Sequence, residues 1–372
     1  MFGALAILTF WQPRLAGQDR RVALVIGNSR YPGAPLENAT NDAIDMAQTL
    51  KDLGFDVLYK QDLTRDDFLT AISTFKNRTK QKGGAVFYYA GHAFQMNGVN
   101  YLAPVDIANV SANSADQRAI RFERVYSAVT ESGGANILIL DACRDNPFSE
   151  PASPGLARPQ GMPSNTLISF STAPNRVASD GVGTHSPYTR ALLKFIKDPG
   201  TPVEELLKKV RTIVETSTES QQTPWEESSL RAPFYFRAPL FILAQFTAAD
   251  DDAVLTVNGE DATNWGNDHG AAKRVPLHGG PNPFVVRVFN QRSYTGGVPG
   301  LGGHLPEGWN YAVSLHTEDG LTLASFSDGE NQPADNGPRH GKWFTVVRGS
   351  IEVDATTDSI RLTEVDARVW TH

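Results

Sequence analysis

His92 and Cys143 could together do chemistry that neither does alone. Cys143 is the sole cysteine and ends the apolar run "NILILDAC" (136–143); His92 closes "GAVFYYAGH" (84–92), 51 positions earlier. A cysteine attacks as its thiolate, and at an ordinary pKa of about 8.5 little of it is ionised at neutral pH, so a nucleophilic cysteine gains from a neighbouring base. Imidazole has the pKa for that task. Taken singly, each has a plain structural explanation: a small core residue, and a satisfied turn histidine. Their joint position favours chemistry, because both close runs that read as buried strands, and ligands of an open parallel α/β sheet collect beyond the carboxyl ends of its strands. A single cysteine also excludes an internal disulfide, so the fold must rest on packing.

The elements that would hold the two residues are legible from residue 20 onward. "RVALVIGNS" (21–29) is a continuous apolar run ending in Gly and Asn, as expected of a strand buried on both faces. In "NDAIDMAQTLKDLGF", Ala43, Met46, Ala47, Leu50 and Leu53 recur at helical spacing, with Gly54 as the stop. "FDVLYKQDL" (55–63) reads as a second strand. Thr64 and Asp67 then fit a capping box, with Leu63 and Phe68 placed as a hydrophobic staple, so a helix is expected to begin there. The third strand is expected to stop at Gly91 and present His92 beyond its tip. A helical period through Ile120, Val125 and Val129 leads to the fourth strand, 136–144, and "NTLISFSTAP" (165–174) is a fifth. Helices follow with Pro in first position after Ser186 and Thr201, and "PFYFRAPLFIL" (233–243) is expected as the last strand. Residues 147–163 have the composition of a mobile surface loop.

This alternation predicts an α/β domain over 20–243 with a mainly parallel sheet flanked by helices. From about 250 to 372 helical periods vanish, and short strands divided by Gly, Asn and Asp predict an all-β, sandwich-like C-terminal domain with a binding or regulatory role. Residues 1–19 contain an apolar run, Phe2 to Trp11, then Pro13 and small residues at Ala16 and Gly17. This is signal-peptide-like, though without a positively charged start, so export to the periplasm or beyond is the expectation and a cytoplasmic N-terminal extension the other reading. The run is too short to be an integral membrane span. A net charge of -7 with no run of Lys or Arg argues against nucleic acid or an anionic membrane surface as partner.

"FYYAGHA" and "LILDACRDNP" closely resemble the histidine and cysteine motifs of the bacterial caspase-like peptidases, the metacaspase and orthocaspase relatives of peptidase family C14. The spacing of the two residues agrees with the roughly 50 positions of caspases. The resemblance spans about residues 20 to 240 and includes "ALVIGNSRY" and "QQTPWEESSL". It implies a cysteine endopeptidase with a dyad, Cys143 attacking the scissile carbonyl and His92 managing protons. It also implies an oxyanion site built from the backbone N–H groups of Ala93 and Cys143. The family commonly has Gly after the histidine; the Cβ of Ala93 is expected to narrow the approach to the oxyanion.

In the metacaspase branch, aspartates matching Asp42 and Asp141 line an acidic S1 pocket, which implies protein or peptide substrates with Arg or Lys at P1. The structural alternatives are a helix N-terminal carboxylate for Asp42 and a strand-end group bonded to loop amides for Asp141. No cofactor is expected to be required and no metal ligands are assigned. Ca2+ dependence, known in some metacaspases, is left open, since neither Asp106 nor the acidic 250–252 triplet has the spacing of a calcium loop. For self-cleavage, Arg176 is the candidate, because Arg158 is followed by Pro159. The rival function is a caspase-like pseudoenzyme or scaffold whose β domain recruits a partner. That domain could take a protein or, through Trp265, Trp309, Trp343 and Trp370, a carbohydrate, although such residues in a sandwich are more often core.

Overall fold

The computed structural model describes residues 21–80, 84–108, 110–129, 133–143, 156–159, 161–174, 176, 178, 180–181, 183–249, 252–268, 270–290, 311–328 and 342–367. The signal-peptide-like segment lies outside them, as does the side chain of Cys143. Two compact units divide the chain, one of residues up to Ile196 with Val203–Phe234, the other of Lys197–Pro202 with the residues from Tyr235.

In the first unit β1 (Val22–Gly27), α1 (Ala39–Asp52), β2 (Asp56–Gln61), α2 (Arg65–Thr79) and β3 (Gly84–Met96) are followed by β4 (Val99–Leu102), α3 (Ala115–Arg118), β5 (Ile120–Arg121) and α4 (Glu123–Val129). Then come β6 (Ala135–Cys143), β7 (Thr166–Phe170), α5 (Pro187–Phe195), α6 (Val203–Ser217) and β8 (Trp225–Ser228). The main sheet has the order β2-β1-β3-β6-β7-β8, parallel except for β8. The continuous apolar runs are explained by burial on both faces: every residue of β1 and β7 is buried, and α1 turns Ala43, Met46, Ala47 and Leu50 inward. Thr64 caps α2, its Oγ1 accepting from Asp67 N at 3.3 Å and its hydroxyl donating to Asp67 Oδ2, and Leu63 and Phe68 share one core. Asn28, the residue after β1, donates through Nδ2 to the Ala103 carbonyl and accepts from Leu63 N. It thus ties three segments together at the carboxyl edge of the sheet.

Three expectations are corrected. β3 does not stop at Gly91: it runs to Met96, changing partner from β1 and β6 to antiparallel β4, so His92 sits inside a long strand where the sheet ends and a hairpin begins. The helical period through 120–129 holds only over α4; its start, Ile120–Arg121, is instead β5, paired antiparallel with β4. The run 233–243 does not close the first sheet; that place is taken by β8, and residues from Leu240 build the second unit.

The second unit contains β9 (Leu240–Ala249), β10 (Asp252–Val257), β11 (Glu260–Asn264), β12 (Lys273–Leu277), β13 (Gly280–Asn290), β14 (Tyr311–Thr317), β15 (Thr322–Asp328), β16 (Lys342–Asp354) and β17 (Ser359–Ala367). Two antiparallel sheets, β11-β10-β13-β16-β17 and β12-β9-β14-β15, share one core that includes Ile242, Phe246, Leu255, Val286, Val313 and Val347. Alternation of buried and exposed positions along β9 and β14 fits a sheet with one wet face. Among the described residues no helix is long and apolar enough to cross a membrane.

Candidate active site

The parallel ladder between β3 and β6 runs in register from Gly84↔Ala135 to His92↔Cys143. The two candidate residues are therefore direct partners on adjacent strands, whose backbones in a sheet lie about 4.8 Å apart, and Cys143 is the last residue of β6.

His92 is held from several sides and is 7% exposed. Its N–H donates to the Tyr31 hydroxyl (3.1 Å), and its carbonyl accepts from Ala103 N (3.0 Å) and the Tyr89 hydroxyl (2.8 Å). The Tyr31 ring meets the imidazole edge-on, with centroids 4.6 Å apart. Gly91 is explained by the same crowding: a Cβ there would stand 2.6 Å from the Tyr89 hydroxyl and 2.7 Å from that of Tyr31. His92 Nε2 lies 2.8 Å from the carbonyl oxygen of Ala34. A carbonyl can only accept, so Nε2 carries the proton and Nδ1 is the basic nitrogen of the neutral ring. The methyl group of Ala93 is fully buried in the core that includes Leu102 and Leu138, on the opposite face of β3 from His92, which differs from the expectation that it would intrude on the crevice.

Beside Ala90 and Gly91 lies a small cavity of about 10 Å³, room for one water, whose walls include Asp42, Asp141 and Asp180. Asp42 stands on the inward face of α1 at 1% exposure, and it is not the cap of that helix. Its Oδ1 is 2.8 Å from His185 Nδ1, and Ser186 N reaches both its oxygens at 3.3 Å. Asp141 Oδ2 accepts from the hydroxyls of Ser186 and Thr189, side chains at the start of α5. Ser186 also caps α5, accepting from Thr189 N. Asp180 Oδ2 accepts from the amides of Glu37 (2.8 Å) and Asn38 (3.2 Å), and Asn38 Nδ2 donates to its carbonyl. The segment before α5 is thereby docked on the start of α1. Asp180 and His185 were missed from sequence, since an acid and a histidine in a Gly-rich connection carry no periodic signal.

Burial, and then the charge of Asp141, push the Asp42 carboxyl well above the usual carboxylate range; the Ser186 amide offsets part of this. Asp141 is also raised by burial, with the Ser186 and Thr189 hydroxyls pulling it back. Acids with raised values bind more protons folded than unfolded, so their contribution to stability is present below about pH 4 and is lost as pH climbs through the raised values. Asp42→Asn is accordingly expected to raise Tm by at least about 3 °C at pH 8, where about 1 kcal/mol corresponds to 2–4 °C, with little change near pH 4. Thermal unfolding at both values checks this; a variant less stable at pH 8 than wild type would contradict it.

Of the remaining sequence candidates, Arg176 is exposed, with its N–H closing a turn onto Ala173 O. Of the stretch 147–163, residues 147–155 and 160 lie outside the described residues; within the rest, Leu156 is buried, Ala157 exchanges two hydrogen bonds with the Asn100 side chain, and the exposed Arg158 pairs with Glu227. No group of acidic, His or Cys side chains suited to a metal is found among the described residues. Asp106 accepts from Arg65 N at the start of α2, and Asp252 from Ala253 N and Gly266 N. Trp265 packs on the sandwich core; Trp309, Trp370 and the side chain of Trp343 lie outside the described residues.

A family model described as the caspase domain of peptidase family C14 matches residues 20–235. The human protein named mucosa-associated lymphoid tissue lymphoma translocation protein 1 is 26% identical over 181 residues, 48% of this chain and 21% of that protein. Its Mus musculus homolog matches with the same identity and coverage. The chain thus spans about a fifth of the length of these curated relatives.

Proposed function

Because the chain belongs to the caspase family, peptidase C14, we propose that it is a cysteine endopeptidase of the metacaspase or orthocaspase type that cleaves proteins after Arg or Lys. The observation that carries this reading is the direct register of His92 with Cys143 beside a cavity walled by three carboxylates. His92 Nδ1 takes the thiol proton of Cys143, and the thiolate adds to the scissile carbonyl carbon. The backbone N–H groups of Cys143 and Ala93 hold the oxyanion as the tetrahedral intermediate forms. The imidazolium then protonates the departing amine, leaving an acyl-enzyme. Water, deprotonated by His92, attacks that thioester, and the imidazolium returns the proton to the departing sulfur, freeing the thiol and the carboxylic product.

Ala34 supports the cycle through its carbonyl, which holds the Nε2 proton and stabilises the imidazolium that forms at the first step. In S1, Asp42 and Asp141, joined by Asp180, receive the P1 cation. A Ca2+ requirement is kept as an arm of the test. Residues 1–19 would direct export, and the C-terminal β domain would bind a protein or carbohydrate ligand. The reading is tested with a positional P1 peptide library on purified protein, with and without calcium, beside a Cys143→Ala control. Turnover confined to P1 residues other than Arg and Lys would reject it.

Self-cleavage is expected after Arg176 and not after Arg158. Both arginines are solvent-exposed, but Arg158 is ion-paired with Glu227 and precedes Pro159. Mass spectrometry of aged wild type beside Cys143→Ala should show a fragment ending at Arg176 in the wild type alone; a dominant product ending at Arg158 would overturn the expectation.

A further inference from the structure

His185 stands between two acids of α1. Its Nδ1 lies 2.8 Å from Oδ1 of Asp42 and its Nε2 3.1 Å from Oδ2 of Asp45. The Asp42–His185 contact is a hydrogen bond and therefore holds a proton on one side or the other, and the Asp45 carboxyl stands beside the second ring nitrogen. One arrangement is an imidazolium between two carboxylates; the other is a neutral ring with its proton on Nε2 and a proton on Asp42. Both have the same net charge. They differ only in where one proton sits along the Asp42–His185 contact, and they leave Asp42 either charged or neutral.

That distinction decides whether the pocket can hold a cation. Asp42 is buried, whereas the Asp45 side chain is half-exposed and His185 mostly covered. Among the described residues, the other charged or titratable groups near the array include Asp141 on β6 and Asp180 in the preceding segment, both of which disfavour charge on Asp42, and Tyr88 on β3. Arg190 on α5 donates to the His185 carbonyl. An isolated carboxyl in that setting would have to release its proton to solvent whenever a cation bound.

Resting on the proposed P1 preference for Arg or Lys, we propose that His185 is a specificity-determining residue of the S1 pocket, taking the proton of Asp42 as the P1 cation enters. The proton leaves the Asp42 oxygen for Nδ1, the ring becomes an imidazolium whose Nε2–H faces Asp45, and the vacated carboxylate pairs with the substrate. No proton leaves the protein. The exposed Asp45 keeps the imidazolium compensated at the rim, where its charge costs least.

The test is the KM for a fluorogenic Arg-P1 peptide between about pH 6.5 and 8.5, for wild type, His185→Ala and His185→Gln. Glutamine can still donate to Asp42 but cannot carry its proton, so it separates packing from proton transfer. Wild-type KM should stay nearly flat, while in both variants it should rise by up to about tenfold for each pH unit lost, as expected when binding expels one proton. Iodoacetamide alkylation of Cys143 at wild-type rate reports that the fold is intact. KM–pH profiles that superpose on, or run parallel to, the wild-type curve would overturn the proposal. Asp42→Asn separates this from failure of the underlying reading: unchanged Arg turnover there would strike the pocket assignment itself, whereas impaired Arg turnover with unaltered His185 profiles would strike the proton transfer alone.

Discussion

Cys143→Ala is expected to abolish peptide hydrolysis, and His92→Ala to lower kcat by at least ~100-fold, the usual worth of a positioned acid/base. The expectation rests on the strand register, which makes the two residues immediate partners, and on the Ala34 carbonyl, which assigns the Nε2 proton and leaves Nδ1 as the base. His92 is pinned by Tyr31, Tyr89 and Ala103 through its own backbone, so its removal should leave the strand in place. Circular dichroism of the variants should match wild type. Initial rates on an Arg-P1 peptide, with a peptidyl-Arg electrophile as a label for Cys143, provide the measurement. Rates unchanged in either variant would remove the pair from the mechanism, and a folded wild type that neither turns over nor labels would favour a scaffold built on the caspase fold.

The second large effect is expected at P1: Arg and Lys peptides should be cleaved at least ~1000-fold better than Asp peptides. Three carboxylates around one narrow cavity attract a cation, and a buried like-charge contact costs several kcal/mol. Arg should exceed Lys, because a planar guanidinium can serve converging carboxylates in a fork while an ammonium is a point charge. Asp42→Ala and Asp141→Ala should each weaken Arg turnover by tenfold or more, while barely changing alkylation of the thiol. Asp141 also holds the start of α5, so Asp141→Asn is the better-conserved companion. Fluorogenic Arg, Lys and Asp peptides decide the matter: turnover after Asp in the wild type, or full Arg turnover in both alanine variants, would show the pocket to be wrongly assigned.

Local residue patterns are enough to place most of the elements and the residues closing them. Runs such as 22–27 and 137–140 are apolar throughout because both faces of a parallel sheet are covered, and that is a local signal. The Thr64 and Ser186 caps were equally readable, since a cap joins residues three apart. Where a run changed partner, local pattern misled: β3 continues through His92 because β4 supplies new hydrogen bonds, and 240–249 joins the second unit because β12 and β14 lie beside it. Pairing of that kind leaves no trace in periodicity. The acidic cavity was half legible, through Asp42 and Asp141. Its remaining parts, Asp180 on the Glu37 and Asn38 amides and His185 between Asp42 and Asp45, join segments about 140 positions apart. Only the folded chain brings such residues together, because their contacts satisfy buried donors and charges that exist nowhere until α1 and α5 have packed on the same edge of the sheet.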